Sequence, residues 1–114
     1  MGLDMSMFTP DGDEMAWGKR ACMIHRWLSD KEEQETGERI TECGDYEFTS
    51  RDLAELADVC QQVLDNPGKA EELLPSSYEY DDTYFDELRR TRDFLRAAVD
   101  AYGDDAWFDY SVSW

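Results

Sequence analysis

The residues from Ser77 to Tyr102 read SYEYDDTYFDELRRTRDFLRAAVDAY, and their periodicity constrains the chain more than any other stretch does. Phe85, Leu88, Leu95, Ala98, Val99 and Tyr102 fall at helical spacing, which predicts a long helix from about Asp81 to Tyr102. Glu79, Asp81, Asp82, Asp86 and Glu87 crowd its first half, and Arg89, Arg90, Arg92 and Arg96 follow. That order suits a helix dipole, positive at its N-terminus and negative at its C-terminus. A helix with a single apolar stripe has to bury that stripe against a second layer. The remaining sequence therefore has to supply a small sheet.

Shorter signals fill in that layer. Leu3–Phe8 alternates, with Leu3, Met5 and Met7 on one side and Asp4, Ser6 and Phe8 on the other, so it reads as a short strand. Thr9-Pro10-Asp11-Gly12-Asp13 is turn chemistry. A helix is expected from near Asp13 to Leu28 or Ser29, because Ala16, Trp17, Ala21, Ile24, Trp27 and Leu28 follow helical spacing around Gly18. Asp30–Arg39 has no apolar residue and reads as an exposed loop. Ile40–Phe48 is a candidate strand anchored by Cys43, Tyr46 and Phe48, with Gly44 marking a bulge or turn.

Thr49 followed by Asp52 is a short form of the capping box and opens a helix that runs to Leu64. Leu53, Leu56, Ala57, Cys60, Val63 and Leu64 form its stripe, and Asp65-Asn66-Pro67-Gly68 ends it. Lys69–Leu74 allows one or two further turns before Pro75. The tail Ala106–Trp114 alternates throughout, with Ala106, Phe108, Tyr110, Val112 and Trp114 against Trp107, Asp109, Ser111 and Ser113. The elements predict one acidic α+β domain over residues 1–114. In it a small, mainly antiparallel sheet of about three strands packs against three helices.

Charge narrows the function classes. Asp and Glu number 28 against 11 Lys and Arg, a formal net charge of −17. Small soluble domains usually carry a magnitude of about 2–8, and the excess destabilises a compact state by self-repulsion. Direct binding to DNA or RNA needs a Lys/Arg footprint and is disfavoured, as is an anionic membrane surface. The chain is not compositionally disordered, because four Trp, six Tyr and five Phe can build a core. Cys22, Cys43 and Cys60 lack zinc or C-x-x-C spacing and are expected to be reduced, mostly buried thiols of a cytosolic protein. Met1-Gly2-Leu3-Asp4 lacks the marks of a signal peptide, and no apolar run is long enough to span a membrane.

Motifs for chemistry are sparse. His25 is the single histidine, three residues from Cys22, so the two could share a helix face as a nucleophile and base. The simpler reading is a structural histidine at a helix–sheet boundary. Asp81, Asp82, Glu79 and Asp86 could attract a hard cation, but the D-x-D-x-D-G loop pattern is missing, and no cofactor is implied. The Arg cluster could clamp phosphate. Intrahelical pairing of Asp86 with Arg89 or Arg90, and of Asp93 with Arg96, is the default. Tyr78, Tyr80, Tyr84 and Phe85 read mostly as core or boundary residues.

Several segments together resemble a family of small uncharacterised proteins of phages and prophages. They are Met1-Gly2-Leu3-Asp4-Met5, Trp17-Gly18-Lys19-Arg20-Ala21-Cys22-Met23-Ile24-His25-Arg26-Trp27-Leu28, the capped helix after Phe48-Thr49, Tyr78-Glu79-Tyr80-Asp81 and Ser111-Val112-Ser113-Trp114. A Gly- and Phe-rich loop belonging to that pattern is replaced here by Ser76-Ser77. The resemblance implies a viral or mobile-element origin and no reaction.

Taken together, these features lead to the expectation of a binding protein rather than an enzyme. A helix of about 33 Å at 1.5 Å per residue approaches the roughly 34 Å of one DNA turn. Its carboxylates could imitate a nucleic-acid backbone. The expected role is a phage-type inhibitor in the host cytoplasm. It would occupy the basic nucleic-acid channel of a host defence complex, a CRISPR effector first among them. The partner-binding residues expected are Glu79, Asp81, Asp82, Asp86, Glu87, Asp104, Asp105, Glu32, Glu33 and Glu35. The competing readings are a small enzyme using His25 and Cys22, a virion or assembly component held by aromatic patches, and an acidic surface that serves only solubility.

Overall fold

The computed structural model describes residues 3–114, so Met1 and Gly2, which open the resemblance and the N-terminal reading, lie outside the described residues. The α+β class holds, with a fully antiparallel four-stranded sheet instead of three strands.

The extra strand comes from the first expected helix. β1 (Asp4–Phe8) turns through Thr9–Asp13 into β2 (Glu14–Trp17). The Thr9 N–H donates to the Asp13 carbonyl at 2.9 Å, and Gly12 takes φ +91°, a value that favours glycine. That hairpin sets Met15 opposite Met7 and Trp17 opposite Met5, so all four side chains reach one core. Over four residues the alternating and helical periods cannot be told apart, and strand pairing decided it.

A short 3-10 turn at Lys19–Ala21 leads into α1 (Cys22–Thr36). The Asp30–Arg39 loop reading is thus corrected: the helix continues through its polar half and stops at Gly37, φ +86°, whose N–H bonds the Glu33 carbonyl at 2.8 Å. Buried Met23, Ile24 and Leu28 hold only its first half to the core. The polar half is held by ion pairs. Lys31 Nζ lies 2.5 Å from Glu55 and 3.9 Å from Asp52, and Arg39 pairs with Asp30.

β3 spans Gly44–Thr49, shorter than the predicted Ile40–Phe48, and Gly44 opens the strand rather than interrupting it. Cys43 lies before it and is exposed, not an anchor; of the three thiols only Cys60 is buried, with Cys22 half-buried. α2 (Ser50–Asp65) begins with the expected capping box, in which Asp52 N–H donates to Thr49 Oγ1 at 3.3 Å and Thr49 N–H to Asp52 Oδ2 at 3.1 Å. After a 3-10 turn and the single-turn α3 (Ala70–Leu73), the chain reaches α4 (Asp82–Tyr102). Asp81 caps α4, its Oδ1 accepting the Tyr84 N–H at 3.1 Å. The stripe that α4 buries is Tyr84, Leu88, Thr91, Leu95 and Ala98, while Phe85, Val99 and Tyr102 pack only partly.

β4 (Trp107–Ser113) returns as a central strand, giving the order β2-β1-β4-β3. Helices α2 and α4 pack together over one face of the sheet. Met5, Met7, Met15, Trp17, Phe48, Phe108, Tyr110 and Val112 point into that layer and are buried. Among the described residues no helix covers the other face: Asp4, Glu14, Ala16, Asp45, Glu47, Trp107, Asp109 and Ser113 are exposed there, and Ser6, Phe8, Thr49 and Ser111 are half-buried.

Candidate functional site

The acids expected on α4 do not form one ridge. Asp81 accepts Arg20 Nη2 on both carboxylate oxygens at 3.0 Å, and the Tyr84 N–H with Arg20 holds its pKa below the usual range. Asp86 pairs with Arg89 at 2.6 Å and Glu87 with Arg90 at 3.5 Å. Asp93 pairs with Arg92 instead of Arg96, and Arg92 and Arg96 both donate to Gln61 Oε1. Glu79 and Asp82 are exposed beside Tyr78 and Tyr80, which are also exposed; Arg20 stacks over Tyr78 at 4.9 Å. Glu32, Glu33 and Glu35 lie on the polar half of α1. Asp104 and Asp105 follow the far end of α4, about 30 Å of helix from Asp82. The ten residues therefore fall in three separate places.

A different set does converge. Strand register lays Glu14, Phe8, Asp109 and Glu47 in one row across β2, β1, β4 and β3 of the open sheet face. The row beside it holds Ala16, Ser6, Ser111 and Asp45, and Asp4 pairs with Ser113 beyond that. Neighbouring strands lie about 4.8 Å apart, so Glu14 to Glu47 spans about 14 Å. The end of this face is acidic too. The Tyr102 hydroxyl donates to Asp11 Oδ2 at 2.7 Å, which brings the β1–β2 hairpin, with Asp11 and Asp13, to the loop with Asp104 and Asp105.

Together nine exposed carboxylates (Asp4, Asp11, Asp13, Glu14, Asp45, Glu47, Asp104, Asp105 and Asp109) share one face and its rim. The segments that carry them, 3–17, 44–49 and 103–114, contain no Lys or Arg. None of the nine makes an ion pair among the described residues. Glu47 sits directly opposite Asp109, a like-charged cross-strand pair of the kind that destabilises a sheet. Trp107, 57% exposed, lies in the same face two residues before Asp109.

Asp104 and Asp105 thus belong to this surface, and the other seven members were not selected from sequence. Asp4 and Asp109 could have been, since the strand alternation already placed them opposite the apolar side. Glu14 was hidden by the helix reading, and Asp45 and Glu47 by the irregularity expected at Gly44 within Ile40–Phe48.

His25 is part of a structural contact. Its Nδ1 and the buried Tyr110 hydroxyl share a hydrogen bond of 2.7 Å, and its ring meets Trp114 edge-on at 6.0 Å. Burial and then the Arg39 charge lower the His25 pKa, and burial raises that of Tyr110. Cys22 Sγ turns instead to Ser76 Oγ at 3.6 Å, so the alternative pairing of Cys22 with His25 is not formed. Surface depressions of about 260 Å³ between α2 and α4, about 570 Å³ beside Arg20 and residues 77–81, and about 300 Å³ along α4 are lined by other residues. Among the described residues no three His, Cys, Asp or Glu side chains converge as metal ligands, and no helix is long and apolar enough to cross a membrane.

Two carboxylates of α1 have raised pKa values. Glu35 on α1 meets Asp52 on α2, and its pKa is raised to about 7 by burial, by the hydrogen bond with Asp52 and by Asp52's charge, against the pull of Lys31. Glu32 is raised for the same reasons of burial and Asp52. This cluster joins the two helices.

No family model matches the chain, and neither the curated proteins nor the solved structures contain a match.

Proposed function

We propose that the open acidic face of the sheet binds a cationic surface of another protein in place of a nucleic-acid backbone. The observation that carries this reading is the nine-carboxylate face without a single cation, on a sheet that leaves it uncovered. A solubility role needs charge anywhere. It does not need Glu47 held opposite Asp109 at a cost to the sheet. The eleven cations all lie in the helical layer or its connections, where they accompany the other 19 of the 28 carboxylates, so the sheet face is the acidic region whose own segments hold no cation. Trp107 adds a flat aromatic surface amid carboxylates, a combination suited to an Arg guanidinium.

A channel lined with Lys and Arg to hold DNA or RNA is the partner this chemistry fits, and the acidic face would displace the nucleic acid competitively. With the resemblance to phage proteins, the fitting role is an inhibitor of a nucleic-acid-guided host defence complex, acting in the host cytoplasm.

Displacement of labelled DNA from a purified CRISPR effector tests the reading with two variants of equal net charge. One neutralises the sheet face (Asp4→Asn, Glu14→Gln, Asp45→Asn, Glu47→Gln, Asp109→Asn). The other neutralises exposed helical-layer acids (Glu71→Gln, Glu72→Gln, Glu79→Gln, Asp82→Asn, Asp100→Asn). The first should lose displacement and the second should keep it, both more weakly at high salt. Equal displacement by the two variants, or none by the wild type, refutes the reading.

A further inference from the structure

The two edges of the sheet are finished differently. Ser50 N–H donates to the Ala106 carbonyl at 3.0 Å, one step beyond the Thr49–Trp107 pair. Hydrogen-bonded pairs alternate along an antiparallel ladder. Phe48, Tyr46 and Gly44 therefore bond to β4, and Glu47 and Asp45 turn their N–H and C=O groups outward. Thr49 shares that outward direction, and its N–H is taken by Asp52. Nothing in the described chain takes the main-chain groups of Asp45 or Glu47, and both residues are exposed. On the other edge, Thr9 N–H bonds the Asp13 carbonyl, so Glu14 and Ala16 face outward from β2. There Arg90 Nη2 donates to the Ala16 carbonyl at 2.6 Å and occupies the middle of the edge. Among the described residues, the β2 edge is thus crossed by a cationic side chain, and the β3 edge at Asp45 and Glu47 is crossed by none.

Resting on the proposed function, we infer that β3 docks an extended segment of the basic partner as a fifth, antiparallel strand with a cation–apolar–cation pattern. Residues opposite Asp45 and Glu47 would form hydrogen-bonded pairs, with Cα atoms about 5.5 Å apart and side chains on the acidic face. A Lys or Arg opposite Glu47 also faces Asp109 one strand further in. The residue between the two cations falls on the inner side, beside the half-buried ring of Tyr46. Main-chain bonds would supply affinity and the alternating side chains would supply selectivity, as in other strand-addition complexes. A second copy of this chain is a poor occupant, because β3 against β3 sets Asp45 and Glu47 against their own like.

Two synthetic peptides test this, each with a Thr-Lys-Val-Lys-Thr core. One is unmodified and the other is N-methylated at both lysines, which keeps the charge and removes the two main-chain donors. The unmodified peptide should slow amide exchange at Asp45 and Glu47 and leave Glu14 and Ala16 unchanged. The methylated peptide should bind at least about tenfold more weakly, two main-chain bonds together amounting to about 1.4 kcal/mol. Equal binding of the two, or no protection at Asp45 and Glu47, overturns strand addition. So does protection that appears without peptide as protein concentration rises. If DNA displacement still separates the two charge variants, the acidic-face reading stands without this edge; if it does not, both fall.

Discussion

Replacing Glu47 by Gln should make the protein more stable while weakening its acidic face. Glu47 and Asp109 are directly opposite on β3 and β4, both exposed, with Cβ atoms about 5 Å apart. Two unit charges at about 5 Å in water repel by about 0.8 kcal/mol. A Debye length of about 8 Å at physiological salt reduces that to about 0.4 kcal/mol. A chain of 114 residues unfolds with an entropy of about 0.24 kcal/mol/K, so E47Q should raise Tm by about 2 °C. Near 0.01 M salt the gain should grow to about 3 °C, and near 1 M it should fall below about 1 °C. Circular-dichroism melts of both proteins at the three salt concentrations measure this. A gain that does not change with salt would show that charge repulsion is not its cause. A loss of stability would show that Glu47 does not face Asp109, and the electrostatic account of the sheet face would fail with it.

Two further predictions concern the helical layer. Trp17 Nε1 donates to Thr91 Oγ1 at 2.8 Å in the core, with Thr91 fully buried. Thr91→Val keeps the shape and strands the indole N–H, so chemical denaturation should show a loss of about 1–3 kcal/mol, and Thr91→Ser should lose less; an undiminished T91V would refute the bond's role. Glu35 keeps its proton in the folded chain up to about pH 7, against 4.5 for its ordinary value. The folded state thus binds more protons than the unfolded state across that window, so this group's contribution to stability falls as pH rises and its penalty is complete above pH 7. Glu35→Gln should therefore exceed the wild type in Tm at about pH 8 and match it near pH 4. Because Glu35 is exposed, the gain should be only about 0.5 kcal/mol, roughly 2 °C. A variant that gains as much in acid as at alkaline pH would refute the Glu35–Asp52 contact.

Sequence alone determined the features whose signal is local. Thr49 and Asp52 cap α2 because a side chain three residues from a helix start reaches the backbone N–H groups there. The stripe of α4 and the alternation of β1 and β4 state which side of each is buried, since their periods are sustained over enough residues to be distinct. The surplus of carboxylates is also plain from the residues. What the tertiary structure decided is everything that depends on partners. Glu14–Trp17 became a strand because a hairpin aligned Met15 and Trp17 with Met7 and Met5. The polar half of α1 stays helical because Lys31 reaches Asp52 and Glu55 on another helix. Asp86 and Glu87 of α4 found arginines within reach, whereas Glu14, Asp109 and Glu47 were drawn from three distant stretches into one row by strand register. Charge is a property of the residue, but an acidic surface is a property of which carboxylates end up adjacent with no cation near, and only folding sets that.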